Sequence, residues 1–211
     1  MGDVDSRLVT PRRRDSRSLS LAQPVCCPAG CFLSRADVDA VAEEWAARAA
    51  QRERPDWLAE FLVSLDGDVR PSPDPKSLLL VAERLDCFVA TGTNLWALSE
   101  ALGHLVLHLG HCDVPDGHPA DEPVMLAVPA AIAGRGPYAR ARLEAVWFAL
   151  AFLTPAPRFR DAWSRHGGSD RKVAGELCLP VTIIHTRAIN LGLLPEGPRS
   201  PRPGAGPVSR D

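Results

Sequence analysis

The stretch from Leu95 to Leu109 constrains the fold of this chain more than any other part of the sequence. Its apolar residues recur at helical spacing and form a stripe along one side of a predicted helix, at Leu95, Leu98, Leu102, Leu105, Val106 and Leu109. The opposite side carries Glu100, Ala101, His104 and His108. Much of the space between the two sides is filled by Trp96, Gly103 and Leu107, so little of the surface is strongly polar. We therefore predict a helix at the centre of the fold rather than on its surface.

Further helices and a few short strands are predicted around this helix. The runs Leu78–Val81 and Leu85–Ala90 are β-prone and close together in sequence, which predicts two strands of a small antiparallel sheet. Helices are predicted to begin near Ser34, Pro55 and Pro137, since Ser34 is a suitable N-cap and proline suits the first turn of a helix. The predicted fold class is α+β, with helices around the sheet.

Composition divides the chain into four segments. Residues 1–33 are polar and rich in arginine and serine, and are predicted to be disordered. Residues 34–168 form the predicted main domain, in which residues 111–136 are loop-like. Residues 169–194 resemble a helix-turn-helix and are predicted to close the domain, and residues 195–211 are predicted to be a disordered tail.

Charge and hydropathy exclude some classes of function. The formal net charge is −2, so no global basic field favours nucleic acid or a membrane surface. No apolar run reaches the roughly 18 residues that span a bilayer. The run Leu19–Val25 is too short and too polar for the apolar region of a signal peptide. We therefore expect a cytoplasmic protein.

The six cysteines are predicted to be free thiols, because disulfides are rare in cytoplasmic proteins. Cys26, Cys27 and Cys31 cluster near the N-terminus, but a zinc site would need a second pair at a matching distance. No such pair follows, so this cluster is predicted to be unstructured and without a function. Cys112 could join His108 as a metal ligand, although we do not favour that pairing.

The central helix carries an altered metallopeptidase motif. The motif His-Glu-x-x-His places two histidines one helical turn apart to hold a zinc ion, and its Glu takes a proton from the metal-bound water. In this chain Glu100 stands at the first histidine, Ala101 at the general base and His104 at the second histidine. No catalytic residue of the motif is therefore retained at the general-base position.

In three segments the chain resembles the ImmA/IrrE family of bacterial and phage zinc-metallopeptidase-like regulators. The segment Leu98–His108 resembles the family's A-H-E-L-G-H-x-x-L-H, and Glu144–Pro155 is similar to its E-A-N-x-F-A-x-x-L-L-M-P. The segment Val173–Leu194 resembles the small helical element with which many members end. The three segments occur in the family's order over roughly residues 36–194, and Val146 replaces the family's Asn.

The resemblance implies a zincin-like minimal metallopeptidase domain and a role for particular residues. By resemblance, His104 and Glu144 are the surviving metal ligands, and Glu100 could supply the third. His108 is expected to pack behind the ligands. We favour a site without metal, in which buried His104 is hydrogen-bonded to Glu144, although zinc is chemically feasible there.

Three functions are compatible with these residues. The favoured one is a catalytically impaired regulatory protein that binds a peptide or a repressor, because Ala101 cannot act as a general base. The second is an active zinc-dependent endopeptidase that cleaves a transcriptional repressor. The third is a DNA-binding regulator that uses residues 170–194, although the polar candidates there are few: His185, Thr186, Arg187 and Asn190. No DNA-binding residue is assigned, and no membrane partner is expected.

Overall fold

Helices dominate the part of the chain that the computed structural model describes, which is residues 25–49, 56–70, 79–84, 87–91, 94–109, 112–113, 125–128 and 138–195. The helices are α1 Arg35–Arg48, α2 Trp57–Ser64, α3 Leu95–His108, α4 Tyr138–Leu153, α5 Ala156–Arg165, α6 Asp170–Leu177 and α7 Val181–Asn190. The strands are β1 Val25–Pro28, β2 Asp68–Arg70, β3 Leu79–Arg84, β4 Cys87–Thr91, β5 Cys112–Asp113 and β6 Met125–Val128. Among these helices, none is long and apolar enough to cross a membrane.

The strands form one sheet in the order β2-β4-β3-β6-β1-β5. Strand β3 pairs antiparallel with β4, as Val81 opposite Val89 illustrates, and antiparallel with β6 on its other side. However, β1 runs parallel to β6 and β2 runs parallel to β4. The sheet is therefore mixed, and the expectation of a small antiparallel sheet describes only part of it.

The prediction of disorder for residues 1–33 is wrong for residues 25–33. Val25–Pro28 is strand β1, and the loop that follows it leads into α1. The partners of β1 are β5 and β6, which both lie in the segment that the sequence suggested was loop-like. The pairing joins segments far apart in sequence, so no local pattern reveals it. Residues 1–24 and 196–211 lie outside the described residues.

Local signals place two helix starts correctly. Ser34 caps α1 through a capping box, in which its hydroxyl accepts from the N–H of Asp37 and its own N–H donates to the Asp37 carboxylate. Asn94 caps α3, because its side-chain oxygen accepts from the N–H of Ala97 at 2.8 Å. The Asn94 cap fixes where the central helix begins relative to β4.

The central position predicted for α3 is confirmed, since almost all of its residues are buried. It packs against α4, which also packs against α1. These helices, α2 and the sheet share the main cluster of buried apolar residues, which comprises Val38, Ala42, Trp45, Ala46, Ala49, Trp57, Leu58, Leu62, Ala82, Phe88, Ala90, Leu98, Ala101, Leu102, Leu105, Leu107, Phe148, Ala151, Phe152 and Leu153.

The C-terminal helices form a second apolar cluster that comprises Phe159, Ala162, Val173, Ala174, Ile184 and Ala188. Because Phe159 and Ala162 belong to α5, this unit begins before residue 169, where the sequence analysis placed the boundary. Arg187 of α7 is fully buried and joins the unit to α1. Its guanidinium lies 2.6 Å from Asp39 and 3.2 Å from Glu43, and its Nε donates to the carbonyl of Thr154 at 3.0 Å.

The close approach of α3 and α4 depends on Gly103. A Cβ atom at this position would lie 3.0 Å from the carbonyl oxygen of Ala145 and 3.1 Å from the Cα of Ala145.

We predict that Gly103→Ala lowers the free energy of unfolding by about 1–3 kcal/mol in urea denaturation, because two packed backbones would have to separate. Gly175→Ala is the matched control, since a Cβ atom there meets nothing within 4 Å. It should raise the free energy of unfolding by up to about 1 kcal/mol. Equal effects of the two substitutions would contradict this account.

Candidate functional site

The buried carboxylate of Glu144 is the centre of the site. It lies on α4, is fully buried, and accepts hydrogen bonds from three parts of the chain. Oε1 accepts from Arg140 Nε at 2.8 Å and from the N–H of Leu33 at 3.1 Å. Oε2 accepts from the N–H of Cys31 at 2.9 Å and lies 3.1 Å from His108 Nε2. Burial acts to raise the pKa of Glu144, but the bonds from Arg140, Cys31 and His108 outweigh it and hold this pKa below its usual value.

Two buried histidines of α3 extend this network. His104 Nδ1 lies 3.1 Å from His108 Nδ1, and both side chains are almost completely buried. Because an ionised carboxylate can only accept, His108 donates from Nε2 to Glu144. His104 Nδ1 and His108 Nδ1 share one proton, and the tautomers of the two rings decide which of them donates it.

This network corrects the predicted hydrogen-bond partner of Glu144. His104 was expected to be the hydrogen-bond partner of Glu144, but His108 takes that place. Both histidines lie on the same side of α3, and four residues, or about 6 Å, separate them along the axis. His108 is the one at the level of Glu144, which makes it a direct contact rather than a residue behind the site.

His104 is buried as a neutral imidazole. Burial lowers its pKa, and the nearby charges of His108 and Arg142 lower it further, to about 3. His104 therefore belongs to the network as a neutral group and not as a charged one.

The residues at the first two motif positions make other contacts. Glu100 lies 3.4 Å from Arg142 Nε, and burial raises its pKa while Arg142 and Trp96 partly offset that effect. Ala101 is 1% exposed and belongs to the main cluster. The general-base position of the motif is thus part of the hydrophobic core.

Cys31 is the functional candidate that the sequence analysis missed. Its Sγ contacts the carbonyl of Leu107 at 2.9 Å, and burial followed by the charge of Glu144 raises the pKa of its thiol. Phe32 has a φ of 55°, and this left-handed conformation turns the chain so that the N–H groups on either side reach one carboxylate. The clustered cysteines were the available signal, but Glu144 lies 113 residues away.

The described residues bring together one group of three side chains with metal-ligand chemistry, Cys31, His108 and Glu144. One ligand atom from each lies within 4.8 Å of the other two. Of the ligands expected from the resemblance, Glu144 belongs to this group, whereas His104 and Glu100 do not. His111 and His118 lie outside the described residues, as does the side chain of Cys112.

No family model matches the chain, and no curated protein or solved structure is significantly similar to it. The likeness to the ImmA/IrrE family therefore remains a resemblance carried by the three segments described above.

The neutrality of His104 predicts how stability depends on pH in the metal-free protein. The folded-state pKa of about 3 lies below the ordinary 6.5, so the unfolded chain binds a proton at a pH where the folded chain does not. Stability is thus fully present above pH 6.5 and is lost as the pH falls toward 3, by at most about 1.4 kcal/mol per pH unit. Urea denaturation between these limits should give a shallower slope for His104→Gln than for the wild type. Identical slopes would show that His104 is not held neutral.

Proposed function

We propose that this chain is a degenerate ImmA/IrrE-type protein, with a zincin-like scaffold that regulates by binding a protein partner and does not hydrolyse it. The order of elements supports this proposal. Strands β3 and β4 precede the motif helix α3, and α4 then brings Glu144 against α3. This is the arrangement that the resemblance implies for the motif helix and the helix that supplies the last metal ligand.

The observation that carries the proposal is the state of the two altered motif positions. Ala101 has no group that could accept a proton, and it is buried in the main cluster. General-base assistance is worth about 10²–10⁴-fold in rate, so hydrolysis by this route is lost.

Glu100 and His104, which occupy zinc-ligand positions of the family, do not fit that site. Glu100 is paired with Arg142, whereas a metal ligand must offer its oxygen to the ion. His104 is not in the group of side chains whose ligand atoms converge with those of Glu144. We therefore derive no chemical step through a zinc ion at these positions, and the active-peptidase alternative would require Glu100 to leave Arg142.

The DNA-binding alternative loses its strongest residue. Arg187 is fully buried between Asp39, Glu43 and the carbonyl of Thr154, so its charge is not available to phosphates. His185 is paired with Asp170 at 2.8 Å, and the Thr186 hydroxyl donates to the carbonyl of Thr182. A helical unit docked in this way is better suited to packing than to reading DNA.

By resemblance, the partner is a transcriptional repressor or another regulator of a mobile element. The test mixes the full chain, with zinc present, with each purified transcriptional repressor of the mobile elements in the same genome. We predict a complex that elutes as one species in size-exclusion chromatography, with the repressor intact by mass spectrometry after prolonged incubation.

Other outcomes would contradict the proposal. Repressor fragments that disappear when a zinc chelator is added would support the active-peptidase alternative. Separate elution of the two proteins would exclude this partner class. Salt-dependent binding of a random DNA duplex by the chain alone would favour the DNA-binding alternative.

A further inference from the structure

We propose that Cys31, His108 and Glu144 form a zinc site that differs from the one the motif implies. It shares only Glu144 with the expected ligands, and it takes one further ligand from the loop before α1 and one from the last turn of α3. This proposal does not depend on the regulatory function argued above.

The distances between the three donors suit a tetrahedral ion. Zinc bonds of about 2.0–2.1 Å to nitrogen and oxygen place two such ligands roughly 3.3 Å apart. His108 Nε2 and Glu144 Oε2 are already separated by 3.1 Å. The three ligand atoms lie within 4.8 Å of one another. Because a zinc–thiolate bond is about 2.3 Å long, the Cys31 Sγ must move a short distance toward the other two ligands. Cys31 lies in a loop and is only half-buried, so it can make that approach and also offers an entry path.

The chemistry of the donor set selects zinc. Thiolate, imidazole and carboxylate are the three side-chain ligands that zinc uses, and a thiolate disfavours magnesium and calcium. Ionised Cys31 and Glu144 together carry two negative charges, which balance the ion. Arg140 adds one positive charge, but it binds Oε1 and its side chain is 31% exposed, so solvent screens it.

The carboxylate is held so that one oxygen remains for the metal. Arg140 Nε and the N–H of Leu33 both donate to Oε1. Oε2 faces His108 and accepts from the N–H of Cys31. Groups that orient a ligating carboxylate in this way are typical of zinc sites.

The two histidines can accommodate the ion. With zinc held by the lone pair of His108 Nε2, His108 keeps one proton on Nδ1 and donates it to His104 Nδ1. His104 then carries its own proton on Nε2, and both rings are neutral. The proton of the Cys31 thiol and any second proton on His108 are released to solvent, because metal ligands must be deprotonated. His104 becomes the positioning residue that fixes the tautomer of His108.

The test measures zinc bound to the full chain after exhaustive chelation and titration with zinc chloride. We predict one zinc per chain, and a Co²⁺-substituted protein with a thiolate-to-metal charge-transfer band. Cys31→Ser and His108→Gln should each weaken zinc binding by more than the roughly 10–100-fold that loss of an outer partner costs. His104→Gln should fall within that smaller range.

Two control variants separate this site from other binding. Cys178→Ser removes an exposed cysteine of the C-terminal unit and should leave zinc binding unchanged. Glu100→Gln should also leave it unchanged, whereas it would abolish binding at the ligands implied by the motif. Should Cys31→Ser fail to fold, Cys31→Ala takes its place, and the cobalt charge-transfer band must be lost in that variant and kept in Cys178→Ser. Absence of zinc from the wild type, absence of that band, or full zinc binding by a folded Cys31→Ser variant would overturn the proposal.

Discussion

The structure depends on one buried charge, the carboxylate of Glu144. A carboxylate removed from water without partners costs several kcal/mol, so the fold must supply donors to it. Arg140, His108 and the N–H groups of Cys31 and Leu33 do so, and they come from α4, α3 and the loop after β1. Arg140 also donates to the carbonyl of Leu33, which ties the same loop to α4 a second time. The contact of His108 with Glu144 and the position of the N-terminal loop both follow from this requirement.

A second buried charge organises the other end of the molecule. Arg187 joins α7 to α1 through Asp39 and Glu43, in the same way that Glu144 joins α4 to α3 and the loop. Both groups are fully buried and both have partners from distant parts of the chain. The apolar clusters supply most of the burial, while these two charges fix which elements meet.

Local patterns predicted the parts of the fold that depend on neighbours in sequence. The central helix was predicted to span Leu95–Leu109 and spans Leu95–His108, because the spacing of its apolar residues is a local signal. The pairing of β1 with β6 was not predictable, since each strand has only four residues and their partners are remote. The sequence also could not show whether His104 or His108 contacts Glu144. Both histidines lie on one side of α3, and the position of α4 along that helix decides which of them is near the carboxylate. The place of Cys31 in the site could not be predicted either, because its partners Glu144 and Leu107 lie on α4 and α3, far away in sequence.

The altered motif is therefore better described as a displaced site than as an empty one. Ala101 packs in the hydrophobic core, and Glu100 is paired with Arg142. The side chain of α3 that contacts Glu144 is His108, one turn after His104. The central claim is that Glu144 anchors the N-terminal loop. Amide hydrogen exchange tests it most directly, by comparing the N–H groups of Cys31 and Leu33 in the wild type and in Glu144→Ala. We predict strong protection in the wild type and its loss in the variant, with the amides of α7 still protected. Fast exchange of both amides in the wild type would contradict the account.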